Sequence, residues 1–316
     1  MAKAKRVKGT DCHGAAVIGI KLVLITRFGE LYDLRDAALD WTDPEGVHSM
    51  RVASRRLRSA LRDFLPYVRK RNLTSVQKQM KNIADALGDV RDQDVAMMAL
   101  EKIRPPAGVA PGLKELIDSR KEVRDQVRER LESILEKSQL QEFETTFIAA
   151  VEKATAIDRR KIAPPAKQLT YMKMTRTIIL ELLKELETLS SGLYKPLDIE
   201  SLHDLRIAAK RLRYALELFQ TCWGRAFGSY AKQAARIQSA LGNVHDCDVW
   251  IESLGNQISD ARKQKQEEQL TALVWLMNHF IKLRTKYLRQ SFSRWRDWEA
   301  AEISAKIRAG LAQKAQ

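Results

Sequence analysis

The stretch Val47–Phe64 reads VHSMRVASRRLRSALRDF, and it decides the fold because a second stretch repeats it. Leu202–Phe219, LHDLRIAAKRLRYALELF, matches it at nine of eighteen positions with an offset of 155. A second block follows in the same order. Lys78–Val95, KQMKNIADALGDVRDQDV, matches Lys232–Val249, KQAARIQSALGNVHDCDV, at ten of eighteen positions with an offset of 154. Two matched blocks in one order imply an internal duplication. Two similar halves are expected, 1–160 and 161–316, together forming one domain. Their joint falls near Ile162–Pro165, where two consecutive prolines break a helix.

Wound at the α-helical step, the first stretch is two-faced. His48, Arg51, Arg55, Arg58 and Arg62 fall within an arc of about 80°, while Leu57, Leu61 and Phe64 fall opposite. In the second copy His203, Arg206, Lys210 and Arg213 take the same arc, and Leu205, Leu212, Leu216 and Phe219 the other. Glu217 stands where the first copy has Arg62, and Arg56 and Arg211 lie off the main stripe.

Composition agrees with helix throughout. Among 316 residues Gly and Pro number only 14 and 8, the apolar share is 45%, and no stretch sustains the alternation that a strand requires. The expected class is all-α, in two similar halves. Helices are expected to break after position 88 and after position 241, around Gly88 and Gly242, so that the Asp92/Asp94 and Asp246/Asp248 pairs sit near helix starts. The long C-terminal helices, 258–314, either pack internally or pair two chains into a homodimer.

With 55 basic against 40 acidic residues the net charge is +15, which calls for an anionic partner: nucleic acid, a membrane surface or a phosphorylated polymer. A solvated helix face normally mixes signs so that neighbours one turn apart attract. This face stacks like charges, twice. Arginine suits phosphate because its planar fork donates two parallel hydrogen bonds and keeps its charge at any ordinary pH. One cation every turn, about 5 Å, gives a ladder that a linear phosphate polymer can meet. At the start of each helix His48 and His203 donate to a phosphate oxygen or hold an arginine in place; a nearby phosphate would raise their pKa.

The pattern H-x-x-R-x-x-x-[RK]-R-x-R at His48–Arg58 and His203–Arg213, with L-G-x-V-x-D-x-D-V at Leu87–Val95 and Leu241–Val249, resembles the CHAD family, the conserved-histidine α-helical domain. The resemblance implies two pseudo-symmetric antiparallel helical bundles whose basic helices face a central groove or pore, and binding of inorganic polyphosphate with association to polyphosphate granules. It assigns one wall to His48, Arg51, Arg55, Arg56 and Arg58, and the other to His203, Arg206, Lys210, Arg211 and Arg213. Lys21 and Arg176, aligned at the 155 offset, and Lys78 and Lys232, aligned at 154, extend the basic surface. Some family members carry a triphosphate-tunnel domain with an E-x-E-x-K signature, which is absent here, so no catalysis is expected.

Two other readings compete. The acidic pairs suggest a metal-dependent phosphohydrolase, although capping of the following helix, or pairing with the arginines, accounts for them more simply. Neither a metal nor a cofactor is expected. A nucleic-acid partner explains the charge, but the stripe carries no aromatics for stacking: Tyr214 lies outside the arc and Ser59 replaces it in the first copy. Specific nucleic-acid binding is therefore not expected. The N-terminal segment lacks the apolar run of a signal peptide, and the apolar stretch Ala15–Thr26 is too short to span a bilayer. A cytoplasmic location without membrane partners is expected.

Overall fold

A computed structural model of the chain describes residues 4–5, 7–156 and 169–313. The joint expected near Ile162–Pro165 lies outside the described residues. Those residues form eleven α-helices, a few 3₁₀ turns and no strand beyond one isolated antiparallel bridge between Ala15 and Thr170. The fold is all-α.

The helices are α1 (Ala16–Tyr32), α2 (Arg35–Ala38), α3 (Pro44–Phe64), α4 (Thr74–Glu101), α5 (Ala110–Ile134), α6 (Lys137–Thr155), α7 (Tyr171–Leu189), α8 (Ile199–Trp223), α9 (Arg225–Gln264), α10 (Glu267–Ala300) and α11 (Ile303–Gln313). They cluster into two compact units that are not contiguous in sequence. One takes the described residues up to Ile103 together with Ile117–Met174; the other takes Arg104–Leu116 and the residues from Thr175 onward.

In the first unit α1 packs on α3 and α6, and α3 on α4. Phe28 of α1 stacks on Phe147 of α6 with ring centroids 4.4 Å apart, and Phe143 meets Phe28 edge-on at 5.3 Å. Helix α3 starts where the sequence sets a stop and a cap. Pro44 occupies the first turn, and the Asp43 carboxylate accepts from the Glu45 N–H at 2.9 Å. Gly46 is required there, because a Cβ would sit 1.7 Å from the Ala37 carbonyl oxygen of α2. From that anchor Val47, Met50, Leu57, Leu61 and Phe64 run into the core, all 2% exposed or less.

In the second unit the 40-residue α9 packs against both α8 and α10. Asp198 caps α8, accepting from the Ser201 N–H at 3.0 Å and its hydroxyl at 2.6 Å. Gly224, at φ +95°, makes the turn from α8 into α9 that an L side chain rarely adopts. Leu205, Leu212, Leu216 and Phe219 are fully buried. Trp250 of α9 stacks on Phe280 of α10 at 4.8 Å, and Trp295 and Trp298 lie in the core of the same unit.

The breaks expected at Gly88 and Gly242 do not occur. Helices α4 and α9 run straight through both glycines. Leu87, Val90, Asp94 and Met97 keep one face of α4 buried across Gly88, and burial of that face outweighs a glycine penalty of about 1 kcal/mol. The two acidic pairs therefore sit in the middle of long helices and cap nothing.

Candidate functional site

Each unit carries the basic face of its repeated helix, and the ion pairs within each unit divide the expected residues into two sets. The off-stripe arginines are tied inward. Arg56 donates from Nη1 to Glu30 Oε1 at 3.0 Å, and the other Glu30 oxygen accepts from Arg27 Nη1 at 2.5 Å; all three side chains are 10% exposed or less. Its counterpart Arg211 donates to Glu185 Oε1 at 2.6 Å, in a pair about one-third exposed. Glu185 stands 155 residues after Glu30, so the same ion pair recurs in both units.

On the stripe of α3, Arg51 donates to Asp92 of α4 at 3.1 Å. Arg55 is half-buried and Arg58 exposed, and neither has a carboxylate within ion-pair distance among the described residues. Arg62 turns to Asp63 at 2.6 Å and to the Ser59 hydroxyl. On α8, His203 and Lys210 are half-buried, as is Arg206, whose Nη2 lies 3.4 Å from His203 Nδ1. Arg213, although aligned with the exposed Arg58, is only 7% exposed. Its Nε donates to Glu217 at 2.7 Å and its Nη1 to Gln238 at 3.1 Å, with its guanidinium 5.5 Å from the Tyr214 ring.

The histidines differ in their neighbours. His48 faces the charge of Arg91 on α4; burial and that charge lower its pKa. At the equivalent place α9 supplies His245, whose Nδ1 is 3.4 Å from His203 Nδ1. Burial and then Arg206 depress both rings, His245 to about 4. All three histidines are therefore neutral at pH 7 in the unliganded protein, able to donate one ring N–H each.

The remaining expected positions lie outside these groups. Lys21 pairs with Glu152 of α6 at 2.9 Å on the surface. Arg176 is half-buried, with a buried Nε that has no hydrogen-bond partner. Lys78 and Lys232 are exposed. As for the acidic pairs, Asp94 sits 3.9 Å from Arg128 of α5, and Asp248 accepts from Arg284 of α10 at 2.5 Å. Asp92, Asp94 and Asp248 each lie within ion-pair distance of an arginine, one of the simpler roles considered for the pairs. Among the described residues no group of three or more His, Cys, Asp or Glu side chains is placed to hold a metal ion, and no helix is long and apolar enough to cross a membrane.

Sequence reasoning passed over α5. Arg120, Arg124 and Arg128 recur every fourth residue on one face of it, a signal that the duplicated motif obscured because it lies outside both matched blocks.

These features define an all-α protein with a basic, histidine-headed helix in each of two compact units. The CHAD domain model matches residues 24–255, and the chain belongs to the CHAD domain family. The crystal structure of the CHAD domain from the plant Ricinus communis superposes with a TM-score of 0.67 at 26% identity, covering 98% of this chain and 96% of that one. The structure of PptA from Streptomyces chartreusis gives a TM-score of 0.65, covering 90% of this chain and all of that one; at 12% identity that likeness concerns the fold alone. Among curated proteins, the uncharacterized protein Rv2226 of Mycobacterium tuberculosis (strain ATCC 25618 / H37Rv) is 25% identical over 218 residues, which is 67% of this chain and 40% of that protein. The chain thus spans well under two thirds of that relative's length.

Proposed function

We propose that the protein binds inorganic polyphosphate without turning it over, through the basic rows of α3 and α8. The observation that carries this reading is the sorting of the arginines. Off-stripe Arg56 and Arg211 are held by Glu30 and Glu185, whereas Arg55 and Arg58, on the stripe beside His48, have no internal carboxylate among the described residues. Like charges stacked one turn apart lower helix stability unless an anion offsets them. Arginine forks suit the bridging and terminal oxygens of a phosphate chain, and neutral His48 and His203 add uncharged donors at the head of each row. The same reading assigns the protein to polyphosphate granules in the cytoplasm. A polymer of phosphates fits better than nucleic acid, because the rows present no aromatic face for bases.

The test is binding of fluorescently labelled medium-chain polyphosphate to the full chain and to R51E/R55E/R58E. Charge reversal abolishes binding while circular dichroism stays helical; ordinary affinity in the variant overturns the reading. Each phosphate neutralised on a flexible chain steepens the log K versus log salt slope by roughly 0.7, so three or four contacts give a slope of about −2 to −3. Duplex DNA competes poorly at physiological salt. Released phosphate in the presence of Mg²⁺ stays at background, and turnover would overturn the non-catalytic part.

A further inference from the structure

Outside the repeated rows, the first unit holds a second concentration of positive charge where side chains of α5 reach α4. Arg120, Arg124 and Arg128 recur on one face of α5, and Arg91 stands on α4 three residues before Asp94. One buried carboxyl, Asp94, is within electrostatic reach of Arg128, Arg124 and Arg91 together. The pairing is poor. Arg128 reaches Asp94 at 3.9 Å and the exposed Asp125 at 3.8 Å, and Arg124 reaches Asp125 at 3.5 Å, all longer than a charge-assisted hydrogen bond. Burial opposes ionisation of Asp94, and burial together with Arg124 lowers the pKa of Arg128, so these charges are not balanced where they stand.

Three N–H groups record the deficit. Arg91 Nη1 and Arg128 Nε are buried with no hydrogen-bond partner, and Arg124 Nε, also buried, has only the Asp125 carboxylate at 3.5 Å, too long for a good bond. A buried donor without an acceptor is uncommon in a folded protein and signals a ligand, ion or water. The guanidinium of Arg128 is also held in place: it lies over the Trp41 ring at 4.7 Å, and the Trp41 indole N–H donates to Glu132 of the same α5 at 2.6 Å. A guanidinium fixed by one face offers its edge to an acceptor.

We propose that Arg91, Arg124 and Arg128 form an oxyanion site for a tetrahedral phosphate, either free orthophosphate or a phosphate of a polymer. Its oxygens accept from the orphaned N–H groups and supply the negative charge that Asp94 and Asp125 do not. Arg91 also faces His48, so the site adjoins the α3 row. The polymer source rests on the polyphosphate reading; the orthophosphate source does not.

The experiment follows arginine side-chain Nε–Hε resonances of the full chain during titration with sodium orthophosphate, and separately measures calorimetric binding of tripolyphosphate. The Arg124 and Arg128 Nε–Hε signals shift and saturate with orthophosphate. The R124Q/R128Q variant, in which helicity is checked by circular dichroism, binds tripolyphosphate about tenfold or more weakly, as loss of charge-assisted bonds requires. R124K/R128K retains the charge and recovers part of that loss, which separates lost anion binding from lost packing. Unmoved Nε–Hε signals with unchanged tripolyphosphate affinity in R124Q/R128Q overturn the site. The two sources separate on R51E/R55E/R58E. Loss of long-chain binding there with the orthophosphate shifts intact supports both readings; full long-chain binding there overturns the α3 row, while the shifts still decide this site.

Discussion

Arg58 and Arg213 occupy the same place in the repeated motif, yet Arg58 is exposed on α3 and Arg213 is buried on α8. One substitution makes the difference. The residue four positions on is Arg62 in the first copy, which turns to Asp63, and Glu217 in the second, which draws Arg213 inward. The same divergence appears at the next helices. Arg128 and Arg284 both meet the second aspartate of the acidic pair, but four residues earlier stands Arg124 in the first unit and Phe280, stacked on Trp250, in the second. A shared motif preserves the scaffold contact, Arg56–Glu30 and Arg211–Glu185, more faithfully than it preserves the charge offered to a ligand. At these two places the first unit has kept a cation where the second has turned the position to packing.

The largest effect should come from breaking that shared contact. In the first unit Glu30 sits between two buried arginines, so Glu30→Ala takes a buried carboxylate from both and lowers stability by about 3–5 kcal/mol. In the second unit the pair is one-third exposed and Leu182 stands where the first has Arg27, so Glu185→Ala loses about 1 kcal/mol or less. Urea midpoints of the two variants measure the gap. Equal losses would mean that the recurrence of the pair says nothing about its burial.

Next in size is the divergence at the end of the row. Arg58→Ala removes an exposed fork and should weaken polyphosphate binding about tenfold, in keeping with one charge-assisted hydrogen bond. Arg213→Ala should leave affinity within about twofold while lowering the unfolding midpoint, because its donors serve Glu217 and Gln238. The reverse ranking would show that the alignment, rather than the burial, identifies binding residues.

How much of this was legible in the sequence follows from which forces are local. The all-α class, the two-faced repeated helix and its buried Leu57, Leu61 and Phe64 follow from periodicity, which short-range geometry enforces. The expected breaks at Gly88 and Gly242 fail because a glycine's conformational preference is weaker than burial of a continuous apolar face. The sorting of the arginines was not legible, since it depends on partners far along the chain: Glu30 for Arg56, Asp92 for Arg51, Gln238 for Arg213. The α5 arginines were visible as an i, i+4, i+8 row, but only the fold brings Arg91 and Asp94 to them.

The histidines offer a smaller, pH-dependent contrast. His48, His203 and His245 all have folded pKa values below the ordinary value, so the unfolded chain binds more protons and the free protein loses stability as pH falls, down to about 4 for His245. A bound phosphate chain reverses the sign, because anionic oxygens favour the imidazolium. Polyphosphate affinity should therefore rise severalfold from pH 7.5 to 5.5, with proton uptake visible as a buffer-dependent calorimetric enthalpy. The second unit has two rings facing Arg206 and Lys210, with Asp204 alongside, where the first has one ring facing Arg51 and Arg91, with Glu45 alongside. His245, depressed to about 4, starts far below that window, so His48→Gln should flatten the profile more than His245→Gln. A flat wild-type profile would remove the histidines from the rows.

The smallest expected effect concerns how each repeated helix begins. Asp43 accepts one backbone N–H at the head of α3, while Asp198 accepts both a backbone N–H and the Ser201 hydroxyl at the head of α8; those bonds hold the Asp198 carboxyl below its ordinary pKa. Asp43→Ala should lower stability by about 1 kcal/mol, a typical loss for an N-cap aspartate, and Asp198→Ala should lower it too. Ser201→Ala should forfeit less, since the backbone N–H bond to Asp198 remains. At acid pH the Asp198 contribution is lost as its carboxyl protonates, so Asp198→Ala and wild type should converge there in thermal melts. If polyphosphate affinity also fell in Asp43→Ala at temperatures where the helix is intact, the cap would be setting the position of His48, four residues after Pro44, and not only the stability of α3.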